Sequence, residues 1–270
     1  RDFLHKKLDQ FSHKRLKQII DKGYCSIQGK PEKFYRTLLH TGQKIGLLLP
    51  DEKQITSKAK LAFEESRILY EDDDLFIYDK PAGIVCDDEG LVALLLPHRE
   101  QLYLAHRLDK DTTGVCVLTK RAKTQEQLFD KFRKREVFKS YLAIVDGFVE
   151  KKTFSIENTL DASKYNQKKS SEAKDARTEF RTIKRDSKAS LITAIPHTGR
   201  THQIRIHLQE IGHPILGDFQ YGKNFQCTYE ATRQFLHAEK IAFSHPRTNE
   251  KVIVIAPLAK DMKVAITNIF

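Results

Sequence analysis

The stretch His106–Lys120 is HRLDKDTTGVCVLTK. Its first half crowds charged and hydroxyl side chains, Asp109, Thr112 and Thr113 among them, into a segment that ends at Gly114. Its second half, Val115–Leu118, is an uninterrupted apolar run of strand length and composition. A polar turn between strand-like runs is therefore the local unit, and similar short runs recur on both sides. Ile68–Tyr70 and Leu75–Tyr78 flank the acidic turn Asp72–Asp74; Tyr103–Ala105, Tyr141–Val145, Thr178–Ile183, Leu191–Ile195 and Val252–Ile255 complete the set. Two stretches carry helical spacing instead: Ala122–Lys134, with Leu128, Phe129 and Phe132 expected inward, and Thr201–Ile211. This pattern predicts an α+β domain over residues 67–270, built on a mixed, largely antiparallel sheet with flanking helices. The segment Asp161–Asp175, DASKYNQKKSSEAKD, is polar enough to be expected as a mobile loop.

The first 50 residues are organised as a small α/β unit. Ser12 can cap a helix whose apolar face is Leu16, Ile19 and Ile20, with Gly23 as its stop. The opposite face carries Lys14, Arg15, Lys17 and Lys22, a basic stripe. Strand-like runs Tyr24–Ile27 and Ile45–Leu49 follow, separated by turns containing Gly29, Pro31 and Gly42. Residues 51–66, DEKQITSKAKLAFEES, have no strong period and are expected to be a linker.

The net charge of +11 is unevenly spread. Residues 1–50 hold 11 Lys and Arg against 4 Asp and Glu, a net of +7, which leaves 36 against 32, or +4, for the other 220. Such a concentration of positive charge favours a polyanionic partner, nucleic acid first. No apolar run approaches the roughly 18–20 residues that span a bilayer, and no secretory signal is visible, so neither a membrane partner nor export is expected. The four cysteines have no paired spacing, which excludes a disulfide framework and a cysteine-rich zinc site and fits reduced thiols in the cytoplasm.

Three segments pack charged, hydroxyl and glycine residues between apolar strands: His106–Gly114, Phe138–Gly147 and His197–Leu208. Asp109, in a turn, has the chemistry of a nucleophile, a general base or a metal ligand, and equally of a turn-former. If Thr201–Ile211 is helical, Ile204, Leu208 and Ile211 form its buried face, and His202, Arg205 and Gln209 lie near one another. Arg205 then sits at an apolar boundary, where a carboxylate partner is expected; Asp109 is the candidate, in a catalytic or a purely structural bridge. A metal site made of His106, His197, His202 and His207 is disfavoured, because the five-residue spacing of 202 and 207 splays them and no carboxylate cluster accompanies them.

Six blocks in order resemble the pseudouridine synthases of the RluA type: YEDDDLFIYDKPAG (Tyr70–Gly83), HRLDKDTTGVCVLTK (His106–Lys120), KSYLAIVDG (Lys139–Gly147), TGRTHQIRIHL (Thr198–Leu208), GHPILGDFQYG (Gly212–Gly222) and LHAEKIAFSHP (Leu236–Pro246). The resemblance implies Asp109 as the catalytic carboxylate, Tyr141 against the target base, Arg205 as the partner of Asp109, and Arg107 in the gap left by the flipped uridine. It implies neither metal nor cofactor. Arg200, His202 and the N-terminal stripe are natural RNA contacts. FSHKRLKQIIDKGYCSIQGK and TGQKIGL resemble an S-four type RNA-binding domain, with Gly42-Gln43 in place of the usual Gly-Asp. VCDDEG (Val85–Gly90) replaces the commoner apolar-His-Pro continuation after KPAG. The expected substrate is large-subunit ribosomal RNA, with transfer RNA second and a non-catalytic RNA-binding assembly factor as the competing class. A cytoplasmic monomer without an obligate protein partner completes the expectation.

Overall fold

The structure, a computed structural model, describes residues 2–8, 11–12, 16–17, 19–20, 23–32, 39–48, 61–160 and 174–270. The chain divides into two units, Arg1–Leu61 and Ala62–Phe270. In the first, helix α1 (Asp2–Lys7) is followed by helical residues at 16, 17, 19 and 20. A three-stranded antiparallel sheet then forms from β1 (Cys25–Ile27), β2 (Lys30–Glu32) and β3 (Ile45–Leu47) in the order β2-β1-β3. Leu4, Leu16, Ile20 and Cys25 form its core, with Ile45 and Leu47 packed against them. The Gly23 and Tyr24 amides bond back to the Ile20 and Ile19 carbonyls, and Gly23 has φ 79°, the paired closure that lets a glycine end a helix. Gln28 and Gly29 both have positive φ, as a two-residue hairpin requires, and the hairpin puts Pro31 on the edge strand β2. Helix α1 and strand β2 have no counterpart in the sequence expectations. Of the basic stripe, Lys17 is described, on the helical segment; Lys14, Arg15 and Lys22 lie outside the described residues, as do positions 51–60 of the expected linker. The end of that linker is partly regular, since Glu65–Arg67 forms one 3-10 turn.

The second unit runs β4 (Ile68–Glu71), β5 (Leu75–Lys80), β6 (Tyr103–Leu104), β7 (Thr113–Thr119), α2 (Ala122–Arg133), β8 (Phe138–Asp146), β9 (Thr153–Leu160), β10 (Lys174–Arg185), β11 (Ala189–Pro196), α3 (Gln203–Glu210), β12 (Leu236–Ser244), β13 (Lys251–Ile255) and α4 (Lys260–Ile269). Its ten described strands form one sheet in the order β4-β5-β7-β12-β8-β11-β10-β9, with β6 also on β7 and β13 on β12. Among the described strands only β7 and β12 pair in parallel. Strand β7 is buried along its whole length because both faces are covered. Val115 and Val117 pack with Leu75, Ile77, Val252, Val254 and Leu128 of α2. Cys116 and Leu118, on the opposite face, pack with Phe76, Tyr78, Leu91 and Leu95.

Several expectations need correction. Phe129 is exposed, because Leu128 points straight at the sheet and the next residue lies about 100° round the helix. Ile211 is the cap rather than a face of α3 and is exposed, whereas Ile204 and Leu208 are buried. Residues 161–173 of the expected loop lie outside the described residues, but Lys174 and Asp175 belong to β10, paired with Leu160 and Thr159 of β9. Strands β9 and β12 and helix α4 were not expected. Helix α3 is fixed to the sheet by a buried polar chain: the Gln203 amide donates to Thr178 Oγ1, whose hydroxyl meets His207 Nδ1 at 3.0 Å, and His207 Nε2 meets Asn158 Oδ1 at 2.9 Å.

The parallel pair brings Gly114 against Ala238, and it does so with φ 106°. A Cβ at position 114 would lie 2.2 Å from the Ala238 carbonyl oxygen, a contact that only backbone movement relieves. Gly114→Ala is expected to lower the unfolding free energy by about 3 kcal/mol or more, from overpacking plus backbone strain. Urea denaturation checks this; a change below about 1 kcal/mol would mean that β7 and β12 separate easily there.

Candidate active site

The loop between β6 and β7 carries Asp109, and almost every residue from 108 to 114 has an anchor. The Thr112 amide closes a turn on the Asp109 carbonyl at 3.1 Å. The carbonyl of Lys110 accepts from the Gly83 amide at 2.9 Å and from Lys80 Nζ at 2.9 Å. Lys80 is wholly buried, and burial pulls its pKa down, but its ammonium also donates to the carbonyls of Pro81 and Ile84. Arg233 Nη1 donates to the Asp111 carbonyl at 3.1 Å while Asp261 of α4 takes its Nε and Nη2 in a bidentate pair. Gln234 donates to Thr112 Oγ1, and Thr113 Oγ1 meets His237 Nδ1 at 2.9 Å.

Asp109 itself is held through one oxygen. Arg205 Nη1 donates to Oδ2 at 2.9 Å, and the side chain stays about a quarter exposed. Arg205 is buried and doubly bound: its Nε and Nη2 donate to Asp218 Oδ2 at 2.6 Å and Oδ1 at 2.9 Å. Those carboxylates raise the guanidinium pKa against the opposing effect of burial. His202, the residue before α3, adopts φ 57°. Its Nδ1 meets the Tyr221 hydroxyl at 2.7 Å, and its Nε2 lies 3.7 Å from Asp109 Oδ1. Burial pulls the His202 pKa down, which favours the neutral ring.

These groups face a cavity of about 920 Å³. Asp109, Tyr141 and Arg205 line it, as do Arg107, Arg200 and His202, so the structure brings all six described candidates of the second unit together. Burial and the Asp109 charge both push the Tyr141 hydroxyl pKa upward, so the phenol stays neutral. Seven of the lining residues are Lys or Arg and two are Asp. The other histidines are engaged elsewhere: His106 Nε2 accepts the Val117 amide, His207 lies in the α3 anchor, and His197 pairs with Glu179. Among the described residues, the groups close enough to hold a metal are Asp72, Asp74 and His245, none of which lines this cavity, and Asp74 is already paired with Arg247. Sequence reading passed over Asp218, Arg233 and Lys80. Asp218 alone left a signal, since a buried arginine requires more acceptor than one partly exposed carboxylate supplies.

A family profile for RNA pseudouridylate synthases matches residues 74–210, a span that contains Asp109, Tyr141 and Arg205. The chain belongs to that family. It is 33% identical to the ribosomal large subunit pseudouridine synthase C of Haemophilus ducreyi, over 99% of this chain and 91% of that protein. The protein of the same name from Pasteurella multocida is 38% identical, over 77% of this chain and 69% of its own length. The solved structure of human RNA pseudouridylate synthase domain containing 4 shares the fold, with a TM-score of 0.63 and 24% identity over 76% of this chain and 93% of that one.

Asp218→Asn leaves a buried guanidinium with one ionised partner in place of two. It is expected to cost about 3 kcal/mol of stability, and about 100-fold in turnover as Asp109 loses its fixed position. Arg205→Met is expected to cost turnover at least as much. Urea denaturation and single-turnover kinetics check both; wild-type turnover in Asp218→Asn would mean that Asp109 needs no fixed guanidinium.

Proposed function

We propose that this chain converts specific uridines of large-subunit ribosomal RNA to pseudouridine, with Asp109 as the catalytic carboxylate. The observation that carries the reading is a carboxylate pinned through Oδ2 by a buried arginine, with Oδ1 accepting no hydrogen bond, in a cavity whose charged lining is mainly cationic. The reaction breaks the bond from C1′ to N1 of the uracil, turns the detached base, and joins C1′ to C5. It needs one anionic oxygen at the sugar, whether that oxygen attacks C1′ or takes a proton from the sugar. Oδ1 is the atom for either step, because Oδ2 is already committed.

The other roles follow from chemistry and position. Tyr141 offers a neutral ring against the base, and Arg205 keeps Asp109 aimed. A uridine in a stack has to be flipped out to reach Asp109, and exposed Arg107 at the cavity rim fits the space that the flipped base leaves. Arg200 and His202 suit contacts to the strand. For residues 1–50 we propose an S-four type RNA-binding domain whose Lys14, Arg15, Lys17 and Lys22 neutralise phosphates. The ribosomal RNA assignment draws on the names of the relatives. Among the described residues no helix is long and apolar enough to cross a membrane, and a cytoplasmic monomer is the proposed state.

Carbodiimide modification with primer extension, on ribosomal and transfer RNA from cells with and without the gene, tests the reading. One site in large-subunit RNA is expected to vanish with the gene, to return with wild type, and to stay absent with Asp109→Asn. Loss of a transfer RNA site would reassign the substrate, and full rescue by Asp109→Asn would remove Asp109 from the chemistry. In the full-length chain, changing Lys14, Arg15, Lys17 and Lys22 to Gln is expected to lower RNA affinity and flatten its salt dependence by about 3 in slope. An unchanged slope would sink the proposed role of the stripe.

A further inference from the structure

Part of the cavity lining takes no part in the reaction at Asp109. It consists of Phe129, Phe132 and Arg133 of α2, Arg135 just after the helix, and Lys139 of β8. Lys139 and Tyr141 are two apart on one strand, so they share a face and stand about 6.6 Å apart along β8. The ammonium of Lys139 makes no hydrogen bond or ion pair among the described residues. Its Nζ lies 5.9 Å from the centroid of the Phe132 ring. Burial brings the Lys139 pKa down to about 8, and no carboxylate offsets it. The lysine charge in turn helps burial to keep His106 neutral, at about 4. A desolvated cation with no counterion is costly, and here it borders a cavity open to a ligand.

Beside it stands an aromatic ring with nothing over it. Phe129 is 43% exposed, although the residue before it is buried completely. A bare ring and an unpaired cation on one cavity wall are the two elements by which proteins hold a single nucleic-acid strand: a stacking surface and a phosphate partner. Arg135 is exposed and without a partner among the described residues, and it extends the positive charge to the rim.

We propose that this part of the lining seats the nucleotide next to the flipped uridine, with Lys139 bound to its phosphodiester and its base stacked on Phe129. The inference rests on the RNA reading above and adds where the strand leaves the catalytic centre. A free anion would satisfy Lys139 alone; the adjacent ring argues for a nucleotide.

The test is fluorescence anisotropy over a salt series with a single-stranded RNA of roughly 15 nucleotides and one central uridine, a length such grooves can track. Wild type, Lys139→Gln, Lys139→Arg and Phe129→Ala are compared, each after its thermal midpoint is measured. Lys139→Gln is expected to bind about 5–10-fold more weakly and to lose about 0.7 from the salt slope, with its midpoint unchanged or raised. Lys139→Arg is expected to restore the slope. Phe129→Ala is expected to lose about 5-fold or more in affinity with the slope intact. A methylphosphonate at a linkage beside the uridine should weaken wild type by the same factor as Lys139→Gln, and should weaken Lys139→Gln no further. An unchanged slope in folded Lys139→Gln, or equal phosphonate losses in both proteins, would overturn the phosphate seat. Full affinity in Phe129→Ala would overturn the stacking. Absence of RNA binding by wild type would instead bring down the RNA reading itself, and this inference with it.

Discussion

Arg205 is the interaction on which the cavity depends, because it is bound by two carboxylates that belong to different parts of the chain. A guanidinium this deeply buried is destabilising unless its donors are met. Asp218 meets Nε and Nη2 in fork geometry, and Gln220 Oε1 lies 3.2 Å from Nη2. That leaves Nη1, whose direction is fixed by the three donors on Nε and Nη2 of a rigid plane, to meet Asp109. The position of the exposed carboxylate is therefore set by the buried one. Tyr221 extends the arrangement: its ring lies 4.8 Å from the guanidinium carbon, and its hydroxyl meets His202.

A second constraint keeps the turn around Asp109 from relaxing. Loops on protein surfaces are usually the mobile part of a fold. Here Lys80 and Gly83 hold the carbonyl of residue 110, Arg233 that of residue 111, and Gln234 and His237 the hydroxyls of residues 112 and 113. The donors come from the end of β5, the approach to β12, and β12 itself. The parallel pairing of β7 with β12 brings these segments beside the turn, and Gly114 is what lets the two backbones approach. Fixing a charged group before substrate arrives avoids reorganisation during reaction, the general source of electrostatic catalysis.

Much of this was legible in the sequence where one physical rule dominates. The strands of the α+β domain show as apolar runs because β5 and β7 are covered on both faces, and the glycine stop at 23 shows because only a glycine closes that helix easily. The Asp109–Arg205 contact was inferred from the cost of an unpaired arginine, and the two groups are bonded in the structure. What stayed hidden depends on long-range context. Strand β12 hides its period because its register against β8 slips between Ala238 and Lys240. Strand β9 alternates strictly, but its inward side chains are only half-buried up to Leu160. Phe129 was expected in the core on composition, but its place on the helix turns it to the cavity. Arg233 carries no local sign of its task, since its acceptors are the carbonyl of residue 111 and a carboxylate on α4.

Two sets of cations in the second unit differ in what their nitrogens touch, and the difference separates architecture from recognition. Lys80 and Arg233 are buried and saturated with protein acceptors, and buried Arg205 gives four of its five N–H groups to them, so little is left for a ligand. Each removes a specific desolvation cost by fixing a turn or a carboxylate. Arg107, Lys110, Arg135 and Lys139 line the same cavity yet have no acceptor among the described residues. Neither group alone makes an enzyme. Unpaired cations around an unfixed carboxylate would collapse onto it and neutralise it, as surface ion pairs readily do. The first set prevents this by holding Asp109 to Arg205 and the turn to the sheet. The free positive charge is then left for an incoming polyanion, and one carboxylate oxygen is left for its sugar.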